Sequence, residues 1–161
     1  MLTTEQLQTL KDGILAETNA TFVTYRTNGQ NGRMADWLNK PKTPNVKTWR
    51  SDVQPQELDE ETPWSSFDTL LDGKRDSWGH IFNYARDFNR SWIRKWVTDV
   101  WGAATAGSIA ETIFNNIGVR NITRVEAILG GSNTANTGTV TALKLAWEGP
   151  VSDVDIGLAM S

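Results

Sequence analysis

The spacing of apolar residues predicts a chain built mostly of short α-helices. The broadest apolar stripe lies in residues 89–106, and charged residues occupy the opposite face. Its members recur at helical intervals and are Trp92, Ile93, Trp96, Val97, Val100 and Trp101. This pattern is typical of a helix that packs one side against a core, so we expect residues 89–106 to form the central helix.

Local start signals place further helices along the chain. Thr4 is predicted to cap a helix over residues 3–17, which carries a narrow apolar stripe. Pro63 follows Thr62 in the order of a first helical residue after an N-cap. Thr123 and Glu126 have the spacing of a capping box. The other helices are expected at residues 33–39, 64–71, 74–88, 109–116, 123–129 and 152–160.

Polar and glycine-rich segments predict irregular structure between these helices. Residues 19–33 are rich in Thr, Asn and Gly and are interpreted as an exposed loop. Residues 54–62 are acidic and flanked by proline, which favours a solvated turn, and residues 132–138 are interpreted as a loop. Residues 139–147 alternate in part and fit either an extended segment or a helix.

Together these patterns predict a mostly α fold in one domain over residues 1–161. We expect a compact helical bundle with long irregular loops and extended terminal segments, and a short β element is placed near residues 139–147 if that segment is extended. The N-terminal helix within residues 1–18 and the C-terminal segment 132–161 are expected to act as contact arms between subunits.

The tryptophan content changes this picture, because the chain of 161 residues contains eight. Tryptophan buries a large area and is enriched at protein–protein contacts. Four of them lie on helical stripes and are predicted to be core: Trp78, Trp92, Trp96 and Trp101. Four lie in short or irregular segments and are candidates for subunit interfaces: Trp37, Trp49, Trp64 and Trp147.

Three arginines form a second pattern. Arg86, Arg90 and Arg94 are spaced for one face of a helix, where they could line a DNA passage or contact an acidic partner. The favoured alternative is a solvated helix face on which these arginines and Lys95 pair with Asp87 and Asp99. The net charge of −3 and the pI near 5.2 also argue against the basic footprint of non-specific nucleic-acid binding.

The sequence offers little for catalysis. It contains no cysteine and a single histidine, His80, and its Gly-Lys pair at 73–74 lacks the spacing of a phosphate loop. The acidic residues at 59–61 and 153–155 are nearly contiguous, unlike two carboxylates held apart in a pocket. We therefore predict a protein that is not an enzyme, with no catalytic residues, metal site or cofactor. Because no stretch approaches 18 apolar residues, we also expect no membrane partner.

Several segments together resemble a family of small virion proteins of tailed bacteriophages. They are residues 4–11, residues 39–41 leading to Trp49 and Arg50, residues 70–74 with Trp78, Val97 with Val100 and Trp101, and residues 123–126. The resemblance implies a head–tail adaptor, or connector, of the virion neck, assembled in the host cytoplasm. Its partners would be further copies in a homo-oligomeric ring, the portal protein and tail or neck proteins, with DNA passing transiently through the ring.

Two alternatives to the adaptor remain open at this stage. The first is a capsid-decoration or tail-completion protein of the same phages. The second, from another class, is a DNA-binding or packaging-associated module that uses Arg86, Arg90 and Arg94.

Overall fold

The computed structural model describes residues 1–131 and 133–161. The chain forms two compact units. Unit 1 is Met1–Val46, Asn121–Asn133 and Leu145–Ser161, and unit 2 is Lys47–Arg120 and Thr134–Lys144. Ser132, which begins the predicted loop 132–138 and the predicted arm 132–161, lies outside the described residues. The sequence predicts a single domain, whereas the buried apolar residues form two separate clusters, one in each unit.

The described residues form ten α-helices and four short strands, and the mostly α prediction with a short β element is confirmed. The helices are α1 (Thr4–Ala16), α2 (Ala20–Thr27), α3 (Asn31–Leu38), α4 (Pro55–Glu61), α5 (Trp64–Phe67), α6 (Asp72–Gly79), α7 (Ser91–Trp101), α8 (Ile109–Ile113), α9 (Arg124–Leu129) and α10 (Asp153–Met160). The strands are β1 (Lys47–Trp49), β2 (Val119–Asn121), β3 (Asn133–Thr134) and β4 (Leu143–Lys144). A 3₁₀-helix follows α6 at His80–Asn83, and a π-helical turn follows α8 at Phe114–Gly118.

Unit 1 is a helical core into which both chain termini are folded. Helix α1 contacts α9 and α10, and α10 contacts α3. Leu10 and Ile14 of α1 and Ile156 of α10 are completely buried. Residues 1–18 and 145–161 therefore belong to the packed part of unit 1 and do not extend from it as arms, and residues 134–144 of the predicted C-terminal arm belong to unit 2. A role in subunit contact stays a prediction for their exposed residues.

The expected loop 19–33 is wrong, because most of it is helical. The Asn19 side chain accepts hydrogen bonds from the backbone N–H groups of Thr21 and Phe22 and so caps α2. Phe22 is completely buried and anchors α2 in the core of unit 1. A single buried aromatic and a cap thus outweigh the turn-forming composition of the segment.

Unit 2 is organised around α7, whose Ile93, Val97 and Val100 are buried. Helix α7 is shorter than the predicted 89–106 and ends at Gly102, which adopts a φ of 90°. The sheet order is β2-β1-β4-β3, and β1 pairs in parallel with β4. The ambiguous segment 139–147 therefore contributes a strand.

Two other boundaries in unit 2 differ from prediction. The predicted turn 54–62 is helix α4, which begins with Pro55 and has a capping box between Gln54 and Glu57. The predicted helix 74–88 ends early, because Arg86 pairs with Val53 in an antiparallel bridge with N–O distances of 2.8 and 3.1 Å. Backbone hydrogen bonds to a distant segment replace the helical ones there.

Gly138, in the segment Thr134–Lys144 of unit 2, lies close to the backbone of Ala104. Its φ is +58°, and a Cβ added there would lie 2.0 Å from the backbone oxygen of Ala104. Gly107 provides a matched control, since its φ is +77° but nothing lies within 4 Å. We expect Gly107→Ala to lower the free energy of unfolding by about 1 kcal/mol through backbone strain, and Gly138→Ala by about 2–3 kcal/mol because a clash is added. Urea denaturation measures both, and equal losses would contradict the clash.

Candidate functional site

Exposed aromatic side chains form the most conspicuous surface feature of unit 2. Trp64 is 46% exposed and begins α5, directly after Pro63. Its ring contacts Phe67 edge-on at a centroid distance of 5.1 Å and stacks on Phe82 at 6.0 Å. Tyr84, 73% exposed, follows the 3₁₀-helix. Trp64 therefore remains a candidate for an interface.

Trp92 is 56% exposed, so the prediction that it belongs to the core is wrong. The buried face of α7 is centred on Ile93 and Val97, and Trp92 lies about 100° away from Ile93 around the helix axis. The apolar stripe is broader than the surface that the rest of unit 2 covers. Trp92 is consequently a second large ring available to a partner.

The other three predicted core tryptophans pack as expected. Trp78 is completely buried, and its Nε1–H donates to the Thr62 hydroxyl at 3.0 Å. Trp101 lies edge-on to Trp78 at 5.4 Å. Trp96 is half-buried against the same cluster and donates to the Ser77 hydroxyl at 2.7 Å.

Trp49 is completely buried, so its prediction as an interface residue is wrong. Its short segment looks irregular in the sequence but is strand β1, next to β4. Its ring contacts Phe114 edge-on at 5.3 Å, and its Nε1–H donates to the backbone oxygen of Ala135 at 2.6 Å. A ring enclosed in this way cannot meet a partner without unfolding its surroundings.

The three arginines do not share a helical face, which overturns the predicted DNA-channel face. Only Arg94 lies within α7, whereas Arg90 immediately precedes that helix and Arg86 lies in the bridge to Val53. Arg94 is buried, and desolvation lowers its pKa below the ordinary value. Arg90 is paired with Asp87 at 3.0 Å, as the alternative of a paired, solvated face predicts.

Arg86 and Asp99 also have their partners within unit 2. Arg86 donates to the backbone oxygens of His80 and Ile81, and its guanidinium lies 5.1 Å above the centre of the Trp96 ring. Asp99, the other expected partner, pairs with Lys95 at 2.6 Å. The arginines therefore contact loops and aromatic side chains of unit 2 and do not form a common basic surface.

A groove of about 620 Å³ lies in unit 1 between α1, α3 and α9. Trp37 lines it and is half-buried, with the Phe22 ring at 4.7 Å and the Arg124 guanidinium 4.0 Å above its centre. Lys42 and Glu17 also line the groove. Trp37 also lines a second depression of about 350 Å³, together with charged residues and Tyr25. We call these two depressions together the Trp37 groove.

Trp147, the fourth interface candidate, is half-buried in unit 1 and packs against its core. Trp37 and Trp147 thus present only part of each ring. Among the four candidates, Trp64 is the most exposed, and Trp37 is distinguished by the groove that it lines.

In residues 1–131 and 133–161, no group of three or more His, Asp or Glu is placed to hold a metal ion. Over the same residues, no helix combines the length and the apolar character needed to cross a membrane. Comparison of the chain with protein-family models, with curated proteins and with solved structures finds no match. Trp64 and Trp92 are exposed and Trp37 lines a groove, so these three rings are placed where a partner can contact them.

Proposed function

We propose that the chain is a self-associating structural subunit of a tailed-bacteriophage particle, of the head–tail adaptor type. It forms a ring in the neck of the virion, between the portal and the tail, and acts through the shape of its surfaces without catalysing a reaction. The resemblance of the sequence supports the phage assignment. The exposure of Trp64 and Trp92 supports self-association and is the observation that carries the proposal.

The physical reason lies in the cost of leaving large rings in water. A buried aromatic side chain contributes roughly 1.5–3 kcal/mol relative to an exposed one, and Trp and Tyr dominate the energetic centres of interfaces. Unit 2 has a complete core of its own that includes Trp49 and Trp78. The exposed Trp64 and Trp92 rings are not among the buried residues of this core. A neighbouring subunit or the portal is the surface that would cover them.

The proposal predicts that removing the exposed rings weakens association and leaves folding nearly unchanged. We expect Trp64→Ala and Trp92→Ala each to weaken assembly at least about tenfold, since interface centres contribute about 2 kcal/mol or more. Trp92→Ala should change the free energy of unfolding by less than about 1 kcal/mol, because that ring is mostly exposed. Trp64→Ala should lower it by about 1–2 kcal/mol, because the contacts with Phe67 and Phe82 are also lost. Size-exclusion chromatography with light scattering measures assembly, with and without purified portal protein.

Leu158→Ala is the control, because Leu158 is 45% exposed on α10 but is not one of the proposed contact residues, so assembly should stay unchanged. Ring-shaped oligomers seen by negative-stain electron microscopy would support the adaptor geometry. A chain that stays monomeric at every concentration, alone and with the portal, would contradict the proposal.

A further inference from the structure

The Trp37 groove concentrates positive charge in a chain whose net charge is −3. Four cationic residues line it, against the carboxylates of Glu17 and Asp36; the cations are Arg33, Lys40, Lys42 and Arg124. Within the described ranges, none of the four forms an ion pair with a carboxylate. The Glu17 carboxylate already accepts a hydrogen bond from the backbone N–H of Asn19. The groove is therefore positive and suits an acidic partner.

Unit 2 carries an acidic surface of matching character at the end of α4. The last turn of this helix contains Asp59, Glu60 and Glu61 and no basic residue. The carbonyl end of a helix carries partial negative charge, so carboxylates there destabilise the free chain. Asp59 and Glu60 are exposed and have no ion-pair partner in the part of the chain that the structure describes. The exposed ring of Trp64 follows three residues after Glu61.

We propose that the acidic segment 59–64 of one copy docks in the Trp37 groove of a second copy. The carboxylates of Asp59 and Glu60 pair with the lysines of the groove, and the Trp64 ring is covered by the same contact. Because the two surfaces are different, the contact is heterologous: each copy offers a groove to one neighbour and an acidic segment to the other. Repetition of such a contact gives a ring when the rotation closes. The inference rests on the proposed self-association and adds which surfaces meet.

The test reverses the charge of each surface separately. Lys40→Glu with Lys42→Glu forms the groove variant, and Asp59→Lys with Glu60→Lys forms the segment variant. In each variant alone, the affinity of self-association should fall at least about tenfold, because like charges then face each other. An equimolar mixture of the two should restore assembly, since every contact in an alternating ring again joins opposite charges. Light scattering after size-exclusion chromatography, with portal present and absent, measures each case.

Matched controls separate this contact from a general charge effect. Asp76→Lys and Lys144→Glu reverse exposed charges elsewhere in unit 2 and should leave assembly unchanged. The thermal unfolding midpoint of the segment variant should be equal to or above that of the wild type, because carboxylates are removed from the negative end of α4. Wild-type assembly should also weaken as NaCl rises from about 0.05 to about 0.5 M.

The outcomes distinguish this inference from the proposed function. Assembly that persists in both variants, or that a mixture fails to restore, overturns the docking but leaves self-association standing. A groove variant that loses binding of an oligonucleotide or of the portal while still self-associating overturns it too, and assigns the groove to that partner. A wild-type chain that never assembles, with or without the portal, overturns both.

Discussion

Trp49→Ala is expected to lower the free energy of unfolding by about 3–5 kcal/mol, the range for removing a buried aromatic side chain. The Trp49 ring is completely buried in unit 2, against Phe114 and beneath the Arg94 guanidinium, which lies 4.7 Å from its centre. Its loss leaves a cavity and removes the hydrogen bond from Nε1–H to the Ala135 backbone oxygen. Urea denaturation followed by circular dichroism measures the change.

Two comparisons make this result specific to burial. Trp92→Ala removes the same atoms from an exposed position and should cost less than about 1 kcal/mol in the monomer. Trp49→Phe keeps most of the ring but loses the indole donor, and a cost of about 1–3 kcal/mol is expected because the Ala135 oxygen loses its partner. Equal losses for Trp49→Ala and Trp92→Ala would show that Trp49 is not enclosed as described.

The features that the sequence predicts well are those that depend on neighbouring residues. Thr123 and Glu126 form the expected capping box at the start of α9, and Ser152 caps α10 through the backbone N–H of Asp155. These devices depend on residues three apart, so a linear pattern contains all the information they need. The N-cap of α1 is Thr3 and not the predicted Thr4, because Gln6 completes a capping box with Thr3.

The features that the sequence misses depend on distant segments. The stripe on α7 gives no sign of which edge is left in water, so Trp92 is misassigned. Trp49 is misassigned because its strand pairs with residues 143–144 and its ring packs on Phe114, both distant along the chain. Arg86 leaves the helical pattern for the same reason, since its backbone pairs with Val53. Hydrophobic periodicity shows that a face is apolar but not what packs against it.

The candidate sites follow the same rule. Trp64 is a candidate from sequence because it lies in a short segment with little room for a core around it. The predicted N-cap is wrong, since Thr62 is the C-cap of α4 and Pro63 is the residue before α5. The Trp37 groove is not found, because Arg124 reaches Trp37 only in the folded unit and donates to its backbone oxygen at 3.0 Å. A surplus of Lys and Arg in residues 33–42 is the one linear signal of the groove.

Arg94→Ala is expected to lower the free energy of unfolding by about 3–4 kcal/mol, because hydrogen bonds from a buried charged donor contribute about 1.5–3 kcal/mol each and are not fully additive. The buried guanidinium donates to the backbone oxygen of Phe88 and, at 2.8 Å, to the Thr137 hydroxyl. It thereby ties the start of α7 to the second segment of unit 2 and covers the Trp49 ring. Without it, the Phe88 oxygen is left buried with no donor. Thermal and urea unfolding measure the loss.

Arg90→Ala is the matched control, since Arg90 is exposed and its pair with Asp87 should contribute less than about 1 kcal/mol. Arg94→Met should cost less than Arg94→Ala, because both variants remove the buried charge but the Met side chain fills much of the space that Ala leaves empty. A DNA-binding role for these arginines predicts a different result. Arg90→Ala and Arg94→Ala would both weaken binding of an oligonucleotide and leave the free energy of unfolding unchanged. That result would contradict the structural role of Arg94, because a side chain enclosed by Phe88, Thr137 and Trp49 cannot reach a phosphate while unit 2 stays folded.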